Sequence, residues 1–270
     1  NKIRLTGGEP LVRKDILKLI KQLNLKKNKT NLKEITLTTN GTLLAKYAKD
    51  LKENGINRIN VSLDTIDQKK YNEVTRFGNL EKVITGIKEA KKNNIDIKIN
   101  TVVIKNFNED ELEKLIIWAN HLNIDITFIE VMPMEDTDTS RHLQFVPLDK
   151  IYKILDKKFN FRKTKKNTGG PSTYYSSSKL SINIGFITPL TNNFCSNCNR
   201  VRISSTGKLF MCLGQNDYID FRDILRNDYS NEYIKEKIRY SLKIKPQKHD
   251  FLINENTKPY MQRHMNVTGG

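Results

Sequence analysis

The stretch Ile3-Arg4-Leu5-Thr6-Gly7-Gly8-Glu9-Pro10-Leu11-Val12-Arg13-Lys14-Asp15-Ile16 runs from a short apolar segment through paired glycines and a proline into an amphipathic segment. Strand, glycine turn and helix in that order open a βα unit. The rhythm then repeats. Strands are expected at Lys2 to Leu5, Glu34 to Thr39, Arg58 to Leu63, Asp96 to Ile104 and Asp125 to Val131. Helices are expected near Lys14 to Asn24, Leu43 to Asn54, Leu80 to Asn93 and Glu109 to Asn120. Gly55, just after Asn54, fits the left-handed residue that closes a helix. Five such units predict an α/β fold with a curved parallel sheet or partial barrel, because a complete eight-unit barrel needs about 250 residues.

Ligands of such sheets sit at the carboxyl ends of the strands, where the connecting loops converge. Small and polar residues recur there: Gly7 to Pro10 after the first strand, Thr38 to Gly41 after the second, Ser62 to Asp64 after the third and Glu130 to Pro133 after the fifth. Asn100 falls within the fourth. The glycines let a ligand approach the backbone closely, and Glu9 with the neighbouring peptide groups can meet an ammonium.

The rhythm breaks after the acidic patch Glu135, Asp136 and Asp138. Thr137 to Phe145 and Asn167 to Lys179 are expected as loops, with a helix at Leu148 to Lys157 between them. Short strands follow near Ile182 to Ile187 and Val201 to Ser204, then helices near Phe221 to Leu225 and Asn231 to Leu242. A boundary is placed near Pro147, dividing the chain into residues 1–147 and 148–270.

The chain has 270 residues, 37% hydrophobic and 29% charged, a soluble globular balance without an apolar run long enough to cross a bilayer. With no signal-peptide pattern either, a cytoplasmic location is the expectation. The net charge of +17 comes from 47 basic residues against 30 acidic ones. Of those 47, 35 are lysines spread over nearly every helix and 12 are arginines. The excess reads as a compositional bias, and neither nucleic acid nor membrane is expected as a partner. The arginines are the informative cations, because a guanidinium fork holds phosphate oxygens in pairs.

All three cysteines fall in Cys195-x2-Cys198-x13-Cys212. An odd, clustered set argues for a metal and against a disulfide framework. Zinc is open, but His121, His142, His249 and His264 are all distant in sequence as a fourth ligand. Three thiolates on a four-iron cluster would leave one iron free for an exogenous ligand. Arg200 and Arg202 lie two apart, so an extended segment projects both to one side, beside that metal.

IRLTGGEPLVRKDI, LTTNG, INVSLD and FIEVMP, in that order, with C-x2-C-x13-C downstream and a terminal Gly269-Gly270, resemble the GTP 3′,8-cyclase family of the radical S-adenosylmethionine superfamily. The resemblance spans essentially the whole chain. It implies a partial (β/α)6 barrel, here truncated at its N-terminus, and a C-terminal α+β domain carrying an auxiliary [4Fe-4S] cluster. It also implies cyclisation of GTP to (8S)-3′,8-cyclo-7,8-dihydroguanosine 5′-triphosphate, the first step of molybdenum cofactor biosynthesis. The implied partners are GTP, S-adenosylmethionine, an external electron donor and the next enzyme of the pathway, with a homodimer left open.

Carried over by position, Gly7, Gly8, Ser62 and Met132 match the family's S-adenosylmethionine contacts. Arg4, Thr38, Lys98, Arg200, Val201 and Arg202 match its GTP contacts, and Cys195, Cys198 and Cys212 its auxiliary cluster ligands. Arg4, Gly269 and Gly270 match catalytic positions, the last two through a tail that reaches into the active site. The family's C-x3-C-x2-C for a second, radical-generating [4Fe-4S] cluster has no counterpart before Cys195, and Thr127 stands where the family commonly has arginine. The chain, which opens at Asn1 in mid-strand, is therefore expected to be a fragment lacking one strand, one helix and that cluster, and inactive by itself. Two other readings stay open: another radical S-adenosylmethionine enzyme with an auxiliary cluster, and a zinc-bearing nucleic-acid-binding module.

Overall fold

A computed structural model describes residues 1–134, 141–249, 251 and 265–269. Strands β1 (Lys2–Leu5), β2 (Glu34–Thr39), β3 (Arg58–Ser62), β4 (Asp96–Val103) and β5 (Asp125–Glu130) alternate with helices α1 (Ile16–Lys27), α2 (Leu44–Glu53), α3 (Gln68–Thr75), α4 (Leu80–Lys92) and α5 (Leu112–His121). The short α6 (Arg141–Gln144) and the amphipathic α7 (Leu148–Phe159) follow, then β6 (Arg162–Lys163), β7 (Thr173–Ser176) and β8 (Ile184–Ile187). The last part holds β9 (Arg202–Ile203), β10 (Lys208–Phe210), β11 (Tyr218–Asp220), α8 (Phe221–Arg226), α9 (Asn231–Lys243) and α10 (Met265–Thr268).

Eight strands form one sheet in the order β1-β2-β3-β4-β5-β8-β7-β6. The first six in that order run parallel, while β7 and β6 are antiparallel. The two faces of the sheet differ in chemistry because side chains alternate along each strand. Ile35, Leu37, Ile59, Val61, Ile97, Ile99, Ile126 and Phe128 are buried with apolar residues of α1, α2, α4 and α5 in one core. Each buried side chain of this kind stabilises the fold by roughly 1.5–3 kcal/mol. The alternate positions carry Arg4, Thr36, Thr38, Asn60, Lys98, Asn100 and Thr127. That second face is polar and largely buried as well.

The sheet does not stop at the expected boundary near Pro147. β8 adds to β5 in parallel register, Ile126 opposite Ile184 and Thr127 opposite Gly185. Leu148, Ile151, Leu155, Phe159, Ile184 and Phe186 share the main core. The seam in the packing falls after Ile187, where a three-stranded sheet β11-β10-β9 begins. Leu209, Phe221 and Ile224 form a separate small core there.

Parts of both expected loops are ordered elements, β7 within Asn167 to Lys179 and α6 within Thr137 to Phe145. Residues 135–140, with the acidic patch, lie outside the described residues. α3 was not anticipated; Asp67 starts it by accepting from the Lys69 and Lys70 amides at 2.8 and 3.0 Å. Among the described residues, no helix is long and apolar enough to cross a membrane.

Candidate functional site

Register arranges the polar face in rows. Nearest the carboxyl ends, Ser62, Asn100, Thr127, Gly185 and Tyr174 pair in sequence across β3, β4, β5, β8 and β7. One step below lie Thr38, Asn60 and Lys98, and below them Arg4, Thr36 and Arg58. Arg4 Nε, Thr38 Oγ1, both amide atoms of Asn60, Asn100 Oδ1 and Ser172 Oγ are buried without a hydrogen-bond partner among the described residues. A buried polar group left unpaired costs about 1–3 kcal/mol. Six such atoms around one face argue for a missing polar occupant rather than for packing.

The same face concentrates positive charge. Glu34 accepts from Arg58 through Nε and Nη2 at 2.9 and 2.8 Å and pairs with Lys2 at 2.9 Å. Among the described residues, Arg4, Lys98, Arg200 and Arg202 have no carboxylate partner. Burial, followed by Arg58 and Arg200, lowers the Arg4 pKa. Burial also lowers that of Lys98, helped by Arg4 and Arg58 and opposed by Tyr174. For Arg202, burial and then Arg200 bring the pKa down to about 10 against the pull of Cys198 and Cys212. All three cations would be stabilised by an incoming anion.

Tyr174 takes part in this network. It is 1% exposed, and its hydroxyl lies 3.3 Å from Lys98 Nζ and 3.1 Å from Thr168 Oγ1. Burial favours the neutral phenol, but Lys98 and the hydrogen bonds outweigh it and lower the pKa. Gly185 makes the convergence possible. A Cβ there would stand 2.3 Å from Ser172 Oγ and 2.6 Å from Thr127 Oγ1.

At the carboxyl edge, Gly7 has φ +129° and Gly8 is exposed with open space where a Cβ would be. Ser62 is exposed and Met132 half-buried at the same edge. Glu9 is tied into the chain. Its carboxylate accepts from Leu11 N at 3.0 Å, Thr39 Oγ1 at 2.7 Å and Asn40 N at 2.7 Å, fastening the first loop to the second. Glu130, fully buried, accepts from the amides of Leu148, Leu190 and Thr191 at 3.2, 2.9 and 3.1 Å and from the Thr191 hydroxyl. It is a structural staple.

Cys195 begins a short 3-10 turn, and the Cys198 amide donates to Cys195 O at 3.0 Å. Cys198 Sγ accepts from Arg200 Nη2 at 3.8 Å and Lys245 Nζ at 3.9 Å. Burial resists ionisation of this thiol, but the Arg200 amide and guanidinium and Lys245 prevail and lower its pKa. Cys212 is raised, by burial first and then by the proximity of Cys195 and Cys198. Among the described residues, no three His, Cys, Asp or Glu side chains stand in metal-holding geometry. The donor chemistry nevertheless fits a thiolate-held metal: three free, half-buried cysteines that influence one another electrostatically, beside cations. Val201, between the two arginines, is 39% exposed.

Gly269 lies at this site. Arg202 Nε donates to its carbonyl at 3.3 Å, and its φ is +72°. A Cβ would fall 2.2 Å from Thr6 Cγ2 and 3.0 Å from Gly7 N. Only glycine fits there without displacement. Gly270 lies outside the described residues.

The structure thus brings Arg4, Thr38 and Lys98 onto one face, Gly7, Gly8, Ser62 and Met132 to its carboxyl edge, and Arg202 and Gly269 into contact. Asn60, Arg58, Lys2, Tyr174 and Lys245 went unnoticed in the sequence. A signal existed for the first two: Arg58 and Asn60 alternate with Ile59 and Val61, which places them opposite the apolar face. Tyr174 and Lys245 act through long-range contacts that leave no local pattern.

The Radical SAM superfamily profile matches residues 1–119, and the Molybdenum Cofactor Synthesis C profile matches residues 124–251. The protein named GTP 3′,8-cyclase in Nitrobacter winogradskyi is 45% identical over 269 residues, 100% of this chain and 78% of that one. Its namesake in Bradyrhizobium diazoefficiens is 46% identical over 270 residues, with the same coverage of 100% and 78%. The solved structure of Streptococcus suis SuiB bound to S-adenosylmethionine is 14% identical, with a TM-score of 0.55 over 85% of this chain and 55% of that one. This last likeness shows a shared fold. Near-half identity along its entire length shows that the chain belongs to the GTP 3′,8-cyclase family.

Proposed function

We propose that the chain binds GTP across the polar face of its sheet and S-adenosylmethionine at the carboxyl edge. On this reading it serves the formation of (8S)-3′,8-cyclo-7,8-dihydroguanosine 5′-triphosphate, the first intermediate on the way to molybdenum cofactor, and the 270 residues by themselves are inactive because no cysteine before Cys195 can hold the radical-generating cluster. The observation that carries this is the polar face itself. Unpaired groups of Arg4, Thr38, Asn60 and Asn100 surround cations that lack carboxylate partners. A triphosphate satisfies the cations and the donors Arg4 Nε and Thr38 Oγ1 through charge-assisted hydrogen bonds, and the donor groups of the nucleoside can meet the amide oxygens of Asn60 and Asn100.

Each part of the chain has a task in this reading. Arg4 and Lys98, with Thr38, hold the triphosphate against the sheet. Backbone at Gly7 and Gly8, Ser62 and Met132 hold S-adenosylmethionine one row above, within reach of the ribose. Arg200, Val201 and Arg202 orient the guanine. Cys195, Cys198 and Cys212 would hold an auxiliary [4Fe-4S] cluster, which supplies an open iron for the base. Gly269 lines the closing side, where a larger side chain would collide with Thr6, and Gly270 keeps its catalytic assignment from the family resemblance alone. Holding sugar and base in one orientation favours ring closure over side reactions.

The finer architecture follows the same reading: a partial (β/α)6-type barrel whose sheet runs on through β8, and a cluster-bearing α+β part after Ile187. An external electron donor would supply reducing equivalents, and the product would pass to the next enzyme of the pathway.

Oxygen-free reconstitution with iron and sulfide followed by equilibrium dialysis tests the proposal. Roughly three to four irons with labile sulfide per chain, together with retained GTP, are expected. Cys198→Ser should lose the iron and keep the sheet fold by circular dichroism. Stoichiometric zinc without sulfide would overturn the cluster reading.

A further inference from the structure

Asn60 occupies the middle of the polar face, opposite Thr38 on β2 and Lys98 on β4. It is 0% exposed, and neither Nδ2 nor Oδ1 has a partner among the described residues. Its orientation is settled by its neighbours, since Ile59 and Val61 are buried in the core on the opposite face. An apolar residue here would avoid the desolvation of two polar atoms, so the amide has a stability cost that packing does not explain.

The chemistry of an amide restricts what can relieve that cost. Asn offers donors at Nδ2 and an acceptor at Oδ1. A phosphate only accepts and would leave Oδ1 facing negative charge. The ammonium of an amino acid only donates and would leave Nδ2 unpaired. A hydroxyl both donates and accepts, and a vicinal diol can answer both ends of the amide at once.

Depth in the sheet agrees with a sugar. Ser62 is two residues further along β3 on the same face, about 6.6 Å away by strand geometry. Ser62 lies at the edge proposed for S-adenosylmethionine, and Arg4, at the level of Arg58, lies one row below Asn60. Thr38 and Lys98 flank Asn60 in its own row and Arg4 lies below, so the amide stands where the sugar of a nucleoside triphosphate meets its phosphates, one row beneath the adenosyl edge. We infer that Asn60 is a substrate-binding residue that grips the ribose diol of the nucleotide and sets the position of its C3′ hydrogen. This deepens the GTP reading and rests on it.

The test is anaerobic equilibrium binding of GTP, 2′-deoxy-GTP and 3′-deoxy-GTP to the reconstituted chain, for the wild type and for Asn60→Leu. The wild type should prefer GTP over at least one deoxy analogue by about tenfold, one lost hydrogen-bonding group. Asn60→Leu should bind all three within about twofold, and its urea midpoint should equal or exceed that of the wild type, because an unpaired amide is gone. Asn60→Ser, read the same way, covers the case in which leucine does not fit. A wild type that binds GTP without preference overturns the inference. So does a preference that persists in both variants; the GTP reading survives either result. A wild type that retains no GTP removes the reading and the inference together.

Discussion

Arg202 and Gly269 meet through a single hydrogen bond, guanidinium Nε to carbonyl oxygen at 3.3 Å. The contact joins the end of the chain to the cation beside the cysteine segment, across 67 positions of sequence. Gly269→Ala should break it. A left-handed alanine is disfavoured by roughly 1 kcal/mol, and its methyl would collide with Thr6. Hydrogen exchange at the amides of 267–269 is expected to rise at least tenfold, and unchanged protection would show that the tail does not need glycine.

Arg202 and Lys165 separate specific binding from bulk charge. Lys165 is exposed, whereas burial holds the Arg202 pKa near 10. Arg202→Ala should weaken GTP binding about tenfold or more, with iron content unchanged, and Lys165→Ala less than about twofold. Equal losses in equilibrium dialysis would mean that the arginine pair is not a phosphate or base site.

Glu130 gives a stability prediction for a motif residue. Glu130→Gln replaces one acceptor oxygen by a donor group facing the amides that Glu130 now receives from Leu148, Leu190 and Thr191. A loss of about 2–4 kcal/mol is expected from urea denaturation. A loss below 1 kcal/mol would show that these hydrogen bonds do not staple the fold.

Asp64 predicts a pH dependence. Burial raises its pKa from the ordinary 3.8 to about 6, against the Val102 amide, which donates to Oδ1 at 2.8 Å. Between those two values the folded protein binds more protons than the unfolded chain, so this group's contribution falls as pH rises through the window. Asp64→Asn should therefore gain about 3 kcal/mol at pH 7 to 8 and nothing below about pH 4. Urea midpoints of both proteins across pH 4 to 8 would check it, and a constant difference would refute it.

Much of the sheet was legible in advance because its outer face obeys a simple rule. Ile35 and Leu37, Ile59 and Val61, and Ile97 and Ile99 alternate with polar residues, so five strands could be placed within a residue or two. The sixth parallel strand, β8, could be seen as a strand but not as a neighbour of β5, because parallel pairing across about 55 residues carries no local signature. β7 was hidden for a different reason. The glycines and serines around Thr173 to Ser176 mimic a loop, and the antiparallel pairing with β8 and β6 decides the matter.

In the site, motif residues were legible as a set but not in their individual tasks. Glu9, read as able to meet an ammonium, and Glu130, read only as one of the polar residues after the fifth strand, both also accept from backbone amides, which the sequence did not reveal. Asn60 had the opposite fate. It lay inside a recognised motif without attracting notice, since an unpaired amide becomes visible only when its surroundings are known.

The grip of Glu130 on Leu190 and Thr191 sets a tether length. Only four peptide steps separate Thr191 from Cys195, a reach of at most about 14 Å when fully extended. The first thiol therefore cannot wander far from the end of β5, however the small distal sheet shifts. The span available to any molecule lying between sheet and sulfur is capped by those few residues, so lengthening or shortening them should change the size of guest the enzyme accepts.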